Sequence, residues 1–213
     1  MSNIIHITKA DDLFIENNQL VIISWGSDEK ANRISLENIM AVIIENCKCR
    51  ITGILQVRLA EQNIPLIICN EKHQPVLHSI GLYNHFQVSL RLKEQISWSD
   101  KKKEKLWGEI VKRKIENQRK LLEFTEKSIL AINKLEIYEN NVGEENCDFE
   151  RQEAIAARVY FQELFGKDFK RFASDGINSA LNYGYAILRA LISSKLVAKG
   201  FHPSLGIHHK SQF

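Results

Sequence analysis

Short apolar segments alternate with polar turns over the first 80 residues of the chain, a pattern typical of β-strands. Asn17 and Asn18 separate two of these segments and predict a two-residue hairpin turn. Thr52 is placed to cap a helix that runs to Gln62, because Ile54, Leu55 and Leu59 share one face. The predicted strands cover residues 3–7, 13–16, 19–25, 33–35, 41–45, 64–69 and 75–81.

After residue 83 the apolar positions recur at helical spacing instead. One stripe includes Trp107, Val111, Lys114, Gln118 and Leu122, and its spacing predicts a packing face. The polar stretch 136–148 predicts a loop. Further helices are predicted over 150–165, ended by Gly166, and over 177–199, ended by Gly200.

These patterns predict an α+β protein with a β-rich domain over residues 1–82 and an α-helical domain over residues 83–213. The helix over 177–199 is apolar nearly all round, and we expect it to be buried.

Positive charge is concentrated in the middle of the chain. Residues 83–134 carry 13 basic and 7 acidic side chains, whereas the chain as a whole has a net charge of only +3. A basic segment of this kind favours a polyanionic partner. The alternative is a solvated helix face, and the run Lys101, Lys102 and Lys103 at a predicted helix start is compatible with either.

The four cysteines contain no C-x-x-C pair, so we expect reduced thiols rather than a structural zinc site. The N-terminus lacks the basic start and long apolar stretch of a signal peptide, and no apolar run reaches membrane-spanning length. We therefore expect a cytoplasmic protein without a membrane partner.

Glu153 lies on a predicted helix face with Ala157, Tyr160, Phe161 and Leu164. A glutamate in the first turns of a helix is most often solvated, but these apolar neighbours predict that Glu153 points toward the packed side.

A second polar group lies on the helix over 177–199, where Asn178, Asn182, Tyr185 and Arg189 form one stripe. Such a stripe is either a self-satisfied structural network or a polar wall facing a phosphate or a metal site. His208 and His209 follow shortly after it and could equally be a surface pair in a loop. A carboxylate and an imidazole are two ligands of a divalent-metal site, but the spacing matches no local metal motif.

Several stretches in this order resemble a known family. They are E-A-I-A-A-R-V-Y-F at 153–161, L-N-Y-G-Y-A-I-L-R-A-L at 181–191 and P-S-L-G-I-H-H at 203–209, with L-F-I-E-N-N-Q-L-V-I at 13–22, I-P-L-I-I-C-N-E-K-H-Q-P at 64–75 and E-N-Q-R at 116–119 upstream. The chain resembles the catalytic subunit of the CRISPR spacer-acquisition integrase, in particular the versions that accompany type II systems.

The resemblance implies a metal site made of a Glu, a His and a later acidic residue. Glu153 matches the first ligand, and His209 matches the second better than His208, because the family histidine stands three residues after a glycine. The third ligand would follow Phe213, so the resemblance implies that the helical domain is incomplete at its C-terminus. Mg²⁺ or Mn²⁺ is the implied cofactor.

The implied reaction is insertion of short foreign DNA into a CRISPR array, in which a 3′-hydroxyl attacks a phosphodiester. The implied partners are DNA, a second copy that pairs through residues 1–82, and a small CRISPR-associated adaptation subunit. Two alternatives are a catalytically idle DNA-binding scaffold of the same fold and a metal-dependent nuclease acting on branched DNA. The candidate DNA-binding residues are Arg158, Asn182, Arg189, Lys112, Arg113, Arg119 and Lys120.

Overall fold

The computed structural model describes residues 3–9, 11–26, 31–82, 85–142, 144 and 147–208. The N-terminal part consists mainly of strands and the rest of helices, which confirms the predicted α+β class. The chain divides into two compact units. The strand unit comprises Met1–Ile96 and Asp175–Ser204, and the helical unit comprises Ser97–Ser174 and Leu205–Phe213.

An antiparallel hairpin is the centre of one four-stranded sheet, whose order is β4-β3-β2-β6. Its turn consists of Asn17 and Asn18, with φ angles of 48° and 58°, so both residues adopt the left-handed conformation that Asn tolerates. The predicted hairpin is therefore present. The strands are β2 (Asp11–Glu16), β3 (Gln19–Ser24), β4 (Asn32–Ser35) and β6 (Arg50–Ile51).

The other sheet has the order β1-β5-β7-β8 and is largely parallel, because only its β7–β8 pair is antiparallel. Parallel strands are buried on both faces, which explains the unbroken apolar run of β5, whose residues 41–44 are all buried. The strands are β1 (Asn3–Ile7), β5 (Ile39–Ile44), β7 (Leu66–Cys69) and β8 (Pro75–His78).

One hydrophobic core joins strands of both sheets with helix α1 (Gly53–Glu61), which contributes the buried side chains of Leu55 and Leu59. Thr52 precedes α1 as predicted, although its side chain makes no capping hydrogen bond.

Helix α6 (Gly176–Ala198) packs against the parallel sheet through Ala190, which contacts a cluster containing Ala41 and Ile67. Tyr183 joins this contact, its hydroxyl lies 3.2 Å from His6 Nε2, and burial raises the pKa of Tyr183 to about 12.

The expectation that α6 is buried all round is wrong. Leu188 and Ile192 are 53% and 59% exposed, so only one side of this helix is covered by the sheet in the part of the chain that the structure describes. An apolar composition alone does not reveal which faces have a partner.

The helical unit is built from α3 (Asp100–Phe124), α4 (Ile129–Asn141) and α5 (Phe149–Phe165). Val111, Ile115, Leu122 and Leu135 are fully buried in its core, which agrees with the predicted stripe. The predicted loop over 136–148 is wrong at its start, since residues 136–141 continue α4. Leu135 and Val142 are buried, and this packing outweighs the polar composition of the segment.

The compact units differ from the predicted division at residue 82. Helix α2 (Val88–Ile96) and helix α6 both belong to the strand unit. The sequence places α6 after the helices of the other unit, but its apolar side covers the parallel sheet. No helix among the described residues is long and apolar enough to cross a membrane.

Gly200 ends α6 with a φ of +83°, in the left-handed region. A Cβ at this position would lie 2.9 Å from His85 Nδ1 and 3.1 Å from Arg91 Cγ. The same corner holds Gln95, whose side chain both donates to the carbonyl oxygen of His202 at 3.0 Å and accepts from its backbone N–H at 2.9 Å. The side chains of His85 and Arg91 therefore occupy the space that a Cβ at residue 200 would need.

We expect Gly200→Ala to lower the free energy of unfolding by about 2–4 kcal/mol, since it combines left-handed strain of about 1 kcal/mol with steric overlap of roughly 1–3 kcal/mol. Gly26→Ala is a matched control, because Gly26 also has a positive φ of 72° but a Cβ there would meet nothing within 4 Å. Urea unfolding followed by circular dichroism measures both. Equal losses for the two variants would show that packing at Gly200 is unimportant.

Candidate functional site

Helix α5 carries two carboxylates one turn apart along its N-terminal half. Asp148 caps the helix, because its Oδ1 accepts from the backbone N–H of Arg151 at 3.0 Å. Glu150 and Glu153 follow, and both line a cleft of about 590 Å³ that opens beside α5. The other lining side chains are Ala154, Ala157, Arg158, Phe161, Gln162, Phe169, Arg171 and Phe172.

The predicted apolar face of α5 is divided between this cleft and the core. Ala157 and Phe161 line the cleft with Glu153, whereas Tyr160 and Leu164 pack against the core of the helical unit. Glu153 therefore points toward an open cleft rather than into packed side chains, and its side chain keeps 22% of its accessible surface.

The carboxylate of Glu153 forms a salt bridge with the ammonium group of Lys114 on α3. Lys114 belongs to the stripe that also contains the buried residues Val111, Ile115 and Gln118. The Lys114 side chain keeps 43% of its accessible surface, so its ammonium group reaches water as well as the carboxylate of Glu153.

His208 is held from two sides within the helical unit. Its Nε2 lies 2.9 Å from Glu150 Oε1, and its ring stacks on Trp107 with a centroid distance of 4.3 Å and an interplanar angle of 6°. The preceding residue, Ile207, packs against the core. These contacts bring the histidine segment to the carboxylate end of α5. His209, the predicted metal ligand, lies outside the described residues.

Gly108 permits the close approach of α3 and α5 on which these contacts depend. A Cβ at Gly108 would lie 3.0 Å from Cζ of Phe149, the first residue of α5. The Phe149 ring thus lies directly against the backbone of α3. This fixes the start of α5 one turn before Glu153.

The donor chemistry at this end of α5 fits a hard divalent cation. Glu153 provides carboxylate oxygens, it faces a cleft, and it already binds one cation, the ammonium group of Lys114. Among the described residues no cluster of three His, Cys, Asp or Glu side chains is placed to hold a metal ion. Glu153 and His209 remain the predicted ligands. Of the two, only Glu153 lies within the described residues.

Three of the predicted DNA-binding residues are engaged in ion pairs along α3 and α4. Arg113 and Lys120 each lie 2.7 Å from Glu116, and together they lower the pKa of Glu116 to about 2, with Lys120 the larger cause. Arg119 contacts Glu139 at 2.9 Å and Glu123 at 2.6 Å. Their charge is thus partly balanced within the protein.

The other predicted DNA-binding residues lie in different places. Arg158 lines the cleft beside Glu153. Lys112 is half-buried on α3, while Asn182 and Arg189 are exposed on α6 in the strand unit. Asn178 of the same stripe is buried and bonds through its Nδ2 to Asp175 Oδ2 at 3.0 Å, so it has a structural role.

Sequence reasoning missed Lys114 and Glu150 as site residues, and it missed Arg171. A lysine inside an apolar helical stripe was a usable signal for Lys114, and the one-turn spacing to Glu153 was a usable signal for Glu150. Arg171 follows α5 in a turn and had no local signal. Its guanidinium lies 6.0 Å from the ring of Phe172, which is 97% exposed at the edge of the cleft.

Comparison with known proteins identifies one family over nearly the whole chain. The family model described as CRISPR associated protein Cas1 matches residues 5–213. A CRISPR-associated endonuclease Cas1 from Neisseria meningitidis serogroup C is 34% identical over 206 residues, which cover 97% of this chain and 66% of that protein. A Cas1 endonuclease from Francisella tularensis subsp. novicida is 30% identical over 157 residues, covering 64% of this chain. The chain spans about two thirds of the first relative, and the match covers 49% of the second.

Solved structures give the same fold. A Cas1 protein from Thermotoga maritima superposes with a TM-score of 0.70 at 17% identity, covering 98% of this chain and 70% of that one. A casposase bound to its integration product has a TM-score of 0.66 at 16% identity, covering 99% and 65%. At these identities the likeness establishes the fold alone. The match to the family model over nearly the whole chain, with the Neisseria relative beside it, shows that this chain belongs to the Cas1 family.

Proposed function

We propose that this chain acts in CRISPR spacer acquisition, as a metal-dependent DNA integrase that inserts short DNA fragments into a CRISPR array. The observation that carries the proposal is the position of Glu153, whose carboxylate lines a cleft that also contains Arg158 and Arg171, in a chain of the Cas1 family. Support for the joining reaction comes from the fold likeness to a casposase bound to an integration product.

In this reaction a 3′-hydroxyl of the fragment forms a new bond to phosphorus, and the bond from phosphorus to the leaving 3′-oxygen breaks. The attacking hydroxyl loses a proton and the leaving oxygen gains one, so no oxidant or reductant is consumed. Because charge accumulates on the phosphoryl oxygens, the protein must supply positive charge and position the reacting groups in line.

Glu153 and His209 would hold Mg²⁺ or Mn²⁺, since carboxylate and imidazole donors suit both ions and imidazole favours Mn²⁺. When bound, the ion would neutralise charge on the phosphodiester and favour the deprotonated form of the attacking hydroxyl. His208 would position its neighbour, because its stack on Trp107 and its contact with Glu150 hold the chain immediately before His209.

The remaining cleft residues suit a DNA end. Arg158 and Arg171 supply guanidinium groups for phosphates, and Phe172, which is 97% exposed, offers a face on which an unpaired base can stack. Phe169 lies 5.5 Å from the buried Phe161 between ring centroids, and these two rings form an apolar part of the cleft wall inside the helical unit.

The proposed partners follow from the relatives. One structural neighbour is a complex of Cas6-RT-Cas1 with Cas2, and another is a Cas1–DNA complex. We propose that this chain likewise binds DNA and a small Cas2-type adaptation subunit. We also propose that it forms a homodimer through residues 1–82, where Ile23, Trp25 and Met40 are exposed.

Glu153→Gln tests the catalytic assignment. We expect it to reduce strand transfer of a 3′-hydroxyl fragment into CRISPR repeat DNA by more than about 100-fold, since even the loss of groups behind a metal ligand costs roughly 10–100-fold. A gel assay with labelled fragment, partner subunit and Mn²⁺ measures joined and cleaved products separately. His209→Ala should act similarly, and His208→Ala should be milder.

Thermal unfolding must show that the Glu153→Gln variant is folded. A folded variant that joins DNA as well as the unchanged protein would contradict the site. Cleavage of branched DNA without joining would instead support a nuclease, the activity named for the Neisseria relative.

A second prediction compares the two arginines that line the cleft with two basic residues that share Glu116. Arg158→Ser and Arg171→Ser should each flatten the dependence of DNA affinity on salt by about one unit of log–log slope for each lost phosphate contact. Arg113→Ser and Lys120→Ser are matched controls, and we expect smaller changes because both groups already pair with Glu116. Fluorescence anisotropy across a salt series provides the slopes, and equal changes at all four positions would favour a general basic face instead.

Measurement of the molecular mass in solution tests the proposed homodimer. Multi-angle light scattering at micromolar concentration should give twice the mass of 24.6 kDa, and Met40→Lys with Ile23→Lys should return it toward one copy if residues 1–82 form the contact. A monomeric mass for the unchanged chain would count against this interface.

A further inference from the structure

Lys114 is the cation that the predicted metal ligand Glu153 binds in this structure. On α3, Lys114 lies beside Ile115 and one turn after Val111, both fully buried. Its side chain nevertheless keeps 43% of its accessible surface, so the ammonium lies at the border between the core and water. A lysine stem of four methylene groups can move such an ammonium by several ångströms without disturbing the helix.

A divalent ion and an ammonium group compete for the negative charge of one carboxylate oxygen. The two cations repel each other, and the repulsion is large at the half-buried border of a protein. The ion and Lys114 are therefore alternatives at Glu153 Oε1, the atom that Lys114 contacts.

We infer that Lys114 is a displaceable counter-ion of Glu153, which neutralises this carboxylate before metal binding and moves to a DNA phosphate when the metal takes its place. The inference rests on the proposed function, because it treats Glu153 as a metal ligand. Lys114 is thus a positioning residue that links metal binding to DNA binding.

The charges around Glu153 favour this exchange. Glu150 lies one turn away and is 75% exposed in its side chain, so the α5 end remains acidic when Lys114 leaves. Arg158 and Arg171 line the same cleft, and a phosphate held there would meet the released ammonium as a third positive group. Before metal binds, Lys114 has a different effect. It offsets the repulsion between the carboxylates of Glu153 and Glu150.

The first experiment measures Mn²⁺ affinity of the whole chain by electron paramagnetic resonance at low ionic strength. Lys114→Met keeps the length of the side chain and removes its charge, so we expect Mn²⁺ to bind about tenfold more tightly. Lys114→Arg keeps the charge and should stay within about twofold of the unchanged chain. Lys134→Met is the control for net charge, because Lys134 is exposed on α4 and does not line the cleft; it should have no effect.

The second experiment measures the salt dependence of DNA affinity with and without Mn²⁺. Without metal, Lys114 is neutralised by Glu153, so Lys114→Met should leave the slope unchanged. With Mn²⁺, the same substitution should flatten the slope by about one unit, because a phosphate contact is lost. A slope that responds equally under both conditions would overturn the displacement.

Glu153→Gln distinguishes failure of this inference from failure of the proposed site. If Glu153→Gln weakens Mn²⁺ binding but Lys114→Met leaves it unchanged, the exchange is wrong and the metal site stands. If Glu153→Gln leaves Mn²⁺ binding unchanged, Glu153 is not a ligand and both proposals are overturned. Circular dichroism of each variant shows whether the helices are intact, and Lys114→Arg provides a second reading if Lys114→Met unfolds.

Discussion

The contact between α3 and α5 at Gly108 determines where the charged groups of the helical unit lie. Because Gly108 has no side chain, the ring of Phe149 rests against the backbone of α3, 3.0 Å from where a Cβ would be. This contact fixes the position of the first residue of α5, both along the axis of α3 and on its circumference. Once that register is set, Glu153 meets Lys114 on the same pair of helices, and the site follows from the packing rather than from a loop.

Each carboxylate at this end of α5 is placed against a specific partner. Glu153 pairs with Lys114 and Glu150 contacts His208, while Trp107 supports the imidazole from its face. The basic side chains of the helical unit lie in two different surroundings. Arg113 and Lys120 of α3 converge on Glu116, which balances part of their charge, whereas Arg158 of α5 and Arg171 after it line the cleft with Glu153. The number of lysines and arginines in a segment therefore overstates the positive charge that the segment presents.

The sequence was sufficient to predict features that depend on local pattern. The Asn17-Asn18 hairpin, the stripe along α3 and the helix predicted over 150–165 all follow from residues a few positions apart. It was insufficient where distant segments meet. The packing of α6 on the parallel sheet, the salt bridge of Lys114 with Glu153 and the stack of Trp107 on His208 join residues separated by 39 positions or more. The spacing of apolar residues shows that one side of a helix or strand is buried, but it does not show which other segment packs against that side.

Helix α5 shows how one short stretch can serve both packing and chemistry. Small residues occur on two of its sides: Ala156 is fully buried in the core, while Ala154 and Ala157 line the cleft. On the core side the small side chain permits close helix packing, and on the cleft side it leaves the space that a DNA end would need. A larger residue at position 157 would fill the cleft next to Glu153, and one at position 156 would push α5 away from the core. The alanines between Glu153 and Arg158 are thus as much a part of the site as the charged residues they separate.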